Sequence, residues 1–81
     1  MGVKNQYSRD AANNLFDYVL RTYKVKNDTA LAKDLGKTGP NLSKIRTGRV
    51  TIGDAWILAI HESYGMSIKE IKGMLIETGE K

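Results

Sequence analysis

The stretch DTALAKDLGKTGPNLSKIRTG, residues 28 to 48, constrains this chain more than any other. Ala32 stands four residues after Asp28 and Gly36 four after that, while Leu42 and Ile45 follow Gly36 by six and nine. A small side chain at 32 lets two helices cross closely. A glycine at 36 accepts the left-handed backbone with which a helix commonly ends. Leu42 and Ile45, three residues apart, share one face of the next helix and can plug against the preceding one. The spacing therefore predicts two short helices joined by a tight turn, the first burying Leu31, Ala32 and Leu35.

The segments around this pair also read as helices. Ser8 or Asp10 can cap a first helix over residues 9 to 24, in which Ala12, Leu15, Phe16, Val19, Leu20 and Tyr23 form one apolar stripe. Lys24, Lys26 and Asn27 make a polar break, and Asp28 is expected to cap the second helix with its carboxylate. Thr38 or Gly39 caps the third helix, with Pro40 in the first turn, where its missing amide hydrogen costs nothing, and Gly48 closes it. Thr51 and Asp54 have the spacing of a capping box opening a fourth helix to about Tyr64. Ile52, Ala55, Trp56, Ile57, Leu58, Ala59 and Ile60 leave that helix little polar face, which predicts a central helix touched from several sides. After Gly65, a fuller box at Ser67 and Glu70 opens a fifth helix carrying Ile68, Ile71, Met74 and Leu75. No segment alternates with strand periodicity, and no repeat or linker divides the chain. The expected fold class is all-α: one compact five-helix domain over residues 1–81, its ordered core at about 8–77.

Composition narrows the classes of function. A chain of 81 residues buries a single small core, and without cysteine and with one histidine it has neither a disulfide nor an ordinary zinc site to help it. No metal or other cofactor is expected. No apolar run approaches the ~20 residues of a membrane span, and MGVKNQYSRD lacks the apolar centre of a signal peptide. A cytoplasmic location without a membrane partner is expected, and no small-molecule ligand. The net charge of +4 arises from 13 basic and 9 acidic residues. Lys37, Lys44, Arg46 and Arg49 fall within residues 37 to 50, which hold no acid, so the remaining nine basic and nine acidic residues cancel. Positive charge gathered in this way points to a polyanionic partner.

LAKDLG, then LSKI, then TGR resemble the lambda-repressor-like, Cro/CI-type helix-turn-helix domain. The resemblance covers about residues 10 to 75, since the helix before the motif and GMSIKEI after the fourth helix are similar to the family's five-helix arrangement. It implies a compact lambda-repressor-like domain whose third helix enters the major groove of a double-stranded DNA operator. It further implies a phage- or prophage-type repressor acting as a homodimer on half-sites about one helical turn apart.

At about 100° per residue, Pro40, Ser43, Lys44 and Thr47 fall in one arc roughly opposite Leu42 and Ile45, and this arc is the expected reading face. Arg46 points off it. Thr38 and Asn41 flank the arc or lie near the helix start, within reach of phosphates or base edges, and Lys37 and Arg49 at the helix ends are placed to hold phosphates. Two positions depart from the family pattern. Asp28 stands where relatives often carry a neutral polar residue near a phosphate, which shifts that contact to Thr29. Gly39 and Pro40 occupy early recognition-helix positions, leaving readout to Ser43, Lys44 and Thr47, to a thymine methyl packed on Pro40, or to DNA shape.

The other chemistry-bearing residues have structural readings. His61 lacks a second ligand and is placed on the helix surface or core edge, while Tyr18, Tyr23, Trp56 and Tyr64 fall in helical patterns as core or dimer contacts. Met74, Leu75 and Ile76 are the expected dimer contact, and Lys4 and Arg9 suit an amino-terminal arm along DNA. No nucleophile beside a base, carboxylate pair or phosphate-binding glycine loop is present, so no enzyme activity is expected. The alternative is a helix-turn-helix-fold protein-interaction module or antitoxin-like regulator, because fold alone does not settle function.

Overall fold

A computed structural model describes residues 7–79, with side chains described as far as Ile76. Five helices follow one another: α1 (Arg9–Thr22), α2 (Asp28–Asp34), α3 (Gly39–Arg46), α4 (Asp54–Tyr64) and α5 (Ile68–Gly79). No strand occurs among the described residues. The radius of gyration is 11.8 Å, within the ~11–12 Å of a compact chain of this size.

The middle of the molecule is α1. Ser8 Oγ accepts the Ala11 amide at 3.0 Å and sets its start. Ala11, Ala12, Leu15, Phe16 and Val19 are all fully or almost fully buried. The two alanines let neighbours approach closely, and α1 packs against both α3 and α5. The sequence pattern had placed α4 at the centre. Instead α4 buries Ile57 and Ile60 against the core and leaves Ala55 and Leu58 in solvent, so its continuous apolar run is only partly used. Ile52, just before α4, is wholly buried and extends the core.

Two expected helix starts move. The cap of α2 is Asn27, whose Oδ1 accepts the Ala30 amide at 2.9 Å, and Asp28 is the first helical residue rather than the cap. For α4 the cap is Gly53, without a side-chain hydrogen bond, so the box expected at Thr51 and Asp54 does not form. Thr51 and the wholly buried Ile52 lie outside regular structure, and the helix starts only at Asp54. The box at Ser67 is half formed: its Oγ accepts the Glu70 amide at 3.0 Å.

The carboxyl-terminal ends of α2 and α3 are built alike. In α2 the Lys37 amide donates to Ala32 O at 2.8 Å and the Gly36 amide to Lys33 O at 3.0 Å, with Gly36 at φ +72°. In α3 the Arg49 amide donates to Lys44 O at 2.8 Å and the Gly48 amide to Ile45 O at 3.1 Å, with Gly48 at φ +83°. Both are Schellman ends, which require the left-handed residue that glycine supplies. The first helix ends at Thr22, two residues before the expected end at 24, with Tyr23 as its cap and Lys24 beyond it at φ +55°.

Candidate nucleic-acid interface

The exposed face of α3 follows from what its other face buries. Leu42 and Ile45 are at most 1% exposed, which turns Pro40, Asn41, Ser43, Lys44 and Thr47 to solvent. Thr38 caps the helix, its Oγ1 accepting the Asn41 amide at 3.3 Å. Its own hydroxyl hydrogen remains available to an outside acceptor. Thr47 is the carboxyl-terminal cap of α3, and its hydroxyl donates to the carbonyls of Ser43 (3.0 Å) and Lys44 (3.3 Å). Its donor is thus occupied, leaving a methyl group and oxygen lone pairs to face outward. Thr29 is exposed in the first turn of α2, and Arg49 is exposed just beyond α3. The structure therefore brings Pro40, Asn41, Ser43, Lys44 and Thr47 onto one surface, with Lys37 and Thr38 at its amino-terminal end and Arg49 at the other.

Arg46 has a role that its position off this arc did not reveal. Its Nε and Nη2 grip the Asp28 carboxylate at 3.1 and 2.9 Å, while Nη1 donates to Asp17 Oδ1 and Asn13 Oδ1, each at 2.9 Å. Asn13 Nδ2 donates in return to the Arg46 carbonyl at 3.0 Å. The guanidinium lies over the Phe16 ring, 5.3 Å from its centroid. Burial disfavours the charged guanidinium, but the hydrogen bonds it donates to Asp28 and Asp17, with their negative charges, outweigh it, and the pKa is raised. One side chain thereby ties α3 to both α1 and α2.

This network changes the electrostatics in two ways. Asp28, which looked repulsive to a polyanion, spends its charge on Arg46. Conversely, Arg46 contributes no free charge to the acid-free stretch, whose exposed cations are Lys44 and Arg49 together with half-buried Lys37. Arg9 adds another. Its stem lies across Gly48, where a Cβ would meet Arg9 Cδ at 3.2 Å, placing it beside the end of α3. Its neighbour Asp10 is 3.9 Å away and both are exposed, so this pairing is weak. Lys4 lies outside the described residues.

A second tie holds the other end of α2. Tyr64 donates its phenol hydrogen to Asp34 Oδ2 at 2.7 Å, and Ser63 Oγ donates to the Asp34 carbonyl at 2.9 Å. The Tyr64 ring stacks on Tyr23 at 4.9 Å. Burial and the adjacent Asp34 charge push the Tyr64 pKa up beyond the usual tyrosine range. His61, half-buried at the core edge, lies with Nδ1 2.8 Å from the Met66 carbonyl, which can only accept, so that nitrogen carries the proton. Among the described residues no cluster of His, Cys, Asp and Glu has metal-binding geometry, and no helix is long and apolar enough to cross a membrane.

Of the three α5 residues expected to form a dimer contact, only one is exposed. Leu75 is wholly buried in the core and Met74 is half-buried, leaving Ile76 as the exposed member. Leu58 and Ile68 are exposed instead, lining a shallow groove with Ile57, Asp54 and Lys72. Compared with protein-family models, with curated proteins and with solved structures, the chain matches none.

Proposed function

We propose that this chain is a sequence-specific regulator of double-stranded DNA, with α2 and α3 as its helix-turn-helix, α3 seated in the major groove, and the five helices arranged as in lambda-repressor-like domains. The observation that carries this reading is the face of α3. Pro40, Asn41, Ser43, Lys44 and Thr47 lie in solvent without an intervening acid, and Lys37 and Arg49 flank them. In this reading Ser43, Lys44 and Asn41 meet base edges, each good contact supplying ~1–3 kcal/mol of discrimination. Pro40 and the Thr47 methyl suit thymine methyl groups. Thr29, Thr38, Lys37 and Arg49 hold phosphates, joined by Arg9.

The regulator is a repressor of the phage or prophage type, acting as a two-fold homodimer on half-sites one helical turn apart. Ile76, with Leu58 and Ile68, supplies the exposed apolar surface from which a dimer contact is drawn. Three arginine or lysine contacts to phosphate per copy give a salt slope of about −5 for the dimer.

Selection from a pool of random duplexes tests the reading, repeated with Ser43→Ala and Lys44→Ala at two salt concentrations. Enrichment of a palindromic site at ~10⁻⁸ M or tighter, with preference altered in the variants, is the expected result. Weak binding near ~10⁻⁴ to 10⁻⁶ M, equal for every duplex and lost with salt, would reduce the interaction to charge attraction and turn attention to a protein partner.

A further inference from the structure

Lys37 is the cation nearest the start of α3, and its ammonium is not left to wander. Its Nζ lies 5.6 Å from the centroid of the Trp56 ring. Trp56 belongs to the first turn of α4, far from Lys37 in sequence. The indole is itself braced, meeting Phe16 edge to face at 5.9 Å between centroids and 63° between planes. Phe16 is wholly buried in α1, so the chain of contact runs from the core through Trp56 to Lys37. The Lys37 backbone is equally fixed, because its amide closes the Schellman end of α2. Lysine ordinarily retains much rotamer freedom at a surface, and ordering it on binding opposes association. An aromatic face attracts the ammonium and covers its methylene stem while leaving the outer N–H groups for an anion.

We infer that Trp56 is a positioning residue of the α3 surface, acting through Lys37 to hold its ammonium at the amino-terminal end of that helix for a phosphate. The inference rests on the DNA reading above and adds to it a residue outside the helix-turn-helix. Trp56 touches no nucleic acid; it lowers the ordering cost of the lysine that does.

The test has two arms on the full chain. In the first, without DNA, the Lys37 ε-methylene protons are located by NMR. Shielding by the indole ring moves them upfield, and Trp56→Leu returns them to ordinary lysine values. Unshifted protons in the parent overturn the contact. In the second, binding to the selected duplex is measured for the parent, Trp56→Leu, Lys37→Ala and the double variant, with folding followed by circular dichroism. Trp56→Leu weakens binding about two- to tenfold, Trp56→Phe weakens it less, and Lys37→Ala weakens it and lowers the salt slope by about one per copy. In the Lys37→Ala background Trp56→Leu has no further effect. An equal loss in both backgrounds assigns Trp56 to general stability and overturns the inference. If the parent binds no duplex, the DNA reading falls and the positioning role falls with it, whereas the NMR shift still reports the contact.

Discussion

Replacing Arg46 by methionine removes the charge that joins three helices while keeping most of the buried stem. The Arg46 side chain is 19% exposed, and those of its partners Asp28 and Asp17 are 46% and 57% exposed. Breaking a fully buried ion pair costs ~3–5 kcal/mol, because the orphaned charge cannot reach water. An exposed pair is worth at most ~1 kcal/mol. Here both carboxylates can rehydrate once Arg46 is gone, which removes most of the orphan penalty. What is lost is the bidentate grip on Asp28, the bonds to Asp17 and Asn13, and the contact with the Phe16 ring. Charge-assisted hydrogen bonds contribute ~1.5–3 kcal/mol each before solvent screening, which the exposed partners reduce strongly. A loss of about 2 kcal/mol follows for Arg46→Met, and about 3 kcal/mol for Arg46→Ala, which also gives up stem packing. In a chain of this size each kcal/mol moves Tm by ~4–8 °C, so calorimetry in low salt should find Arg46→Met melting about 8–16 °C below the parent. Asp28→Asn should be destabilising in the parent and nearly neutral beside Arg46→Met. An Arg46→Met variant melting within about 2 °C of the parent would refute the claim that this network holds α3 in place.

Other consequences are separable. Asn27→Ala should cost about 1 kcal/mol in urea denaturation because it uncaps α2, whereas Thr51→Ala, at the box that does not form, should stay within about 0.5 kcal/mol of the parent. Gly48→Ala should cost more than Gly36→Ala: both impose ~1–2 kcal/mol for a left-handed alanine, but only at Gly48 does the new Cβ meet another side chain, Arg9. Gly39→Ala should bring no gain even though open space surrounds it, because Gly39 is helical directly before Pro40, whose ring crowds the Cβ of a preceding helical residue. The raised pKa of Tyr64 belongs to a folded state that retains the phenol proton, so its contribution to stability is complete below the ordinary tyrosine value and declines above it as the unfolded chain ionises first. Melting temperatures from pH 9 upward should therefore fall more steeply for the parent than for Tyr64→Phe, and parallel curves would contradict the assignment.

What the sequence made legible was local. The helices over the apolar stripe of α1 and at α2 and α3, the glycine ends at Gly36 and Gly48, and the outward face from Pro40 to Thr47 all depend on residues within one or two turns of one another. Capping was harder because adjacent residues compete. Asn27 and Asp28 both qualify as a cap for α2; Asn27 takes the role, while the Asp28 carboxylate is held by Arg46, 18 residues away. The same limit explains α4: hydrophobic residues on most of its surface predict burial, but with α3 and α5 both packed on α1, Leu58 is left outside.

Charge shows the consequence most clearly, since counting it along the chain misplaced two residues at once. The acid-free stretch made Arg46 look available to a polyanion, and Asp28 look hostile to one. In three dimensions they largely cancel each other, with Asp17 sharing the arginine. The net effect on the α3 surface is a loss of one nominal cation and the quieting of one nearby acid, while Arg9 enters from α1 and Lys37 is held from behind by Trp56. If phosphates meet this surface, its ionic-strength dependence follows Lys37, Arg49 and Arg9, and Arg46→Met alters stability without altering the salt slope. A slope that drops by about one per copy in a folded Arg46→Met variant would mean that Arg46 leaves Asp28 to reach DNA, and the ion pair would then be a latch rather than a fixed tie.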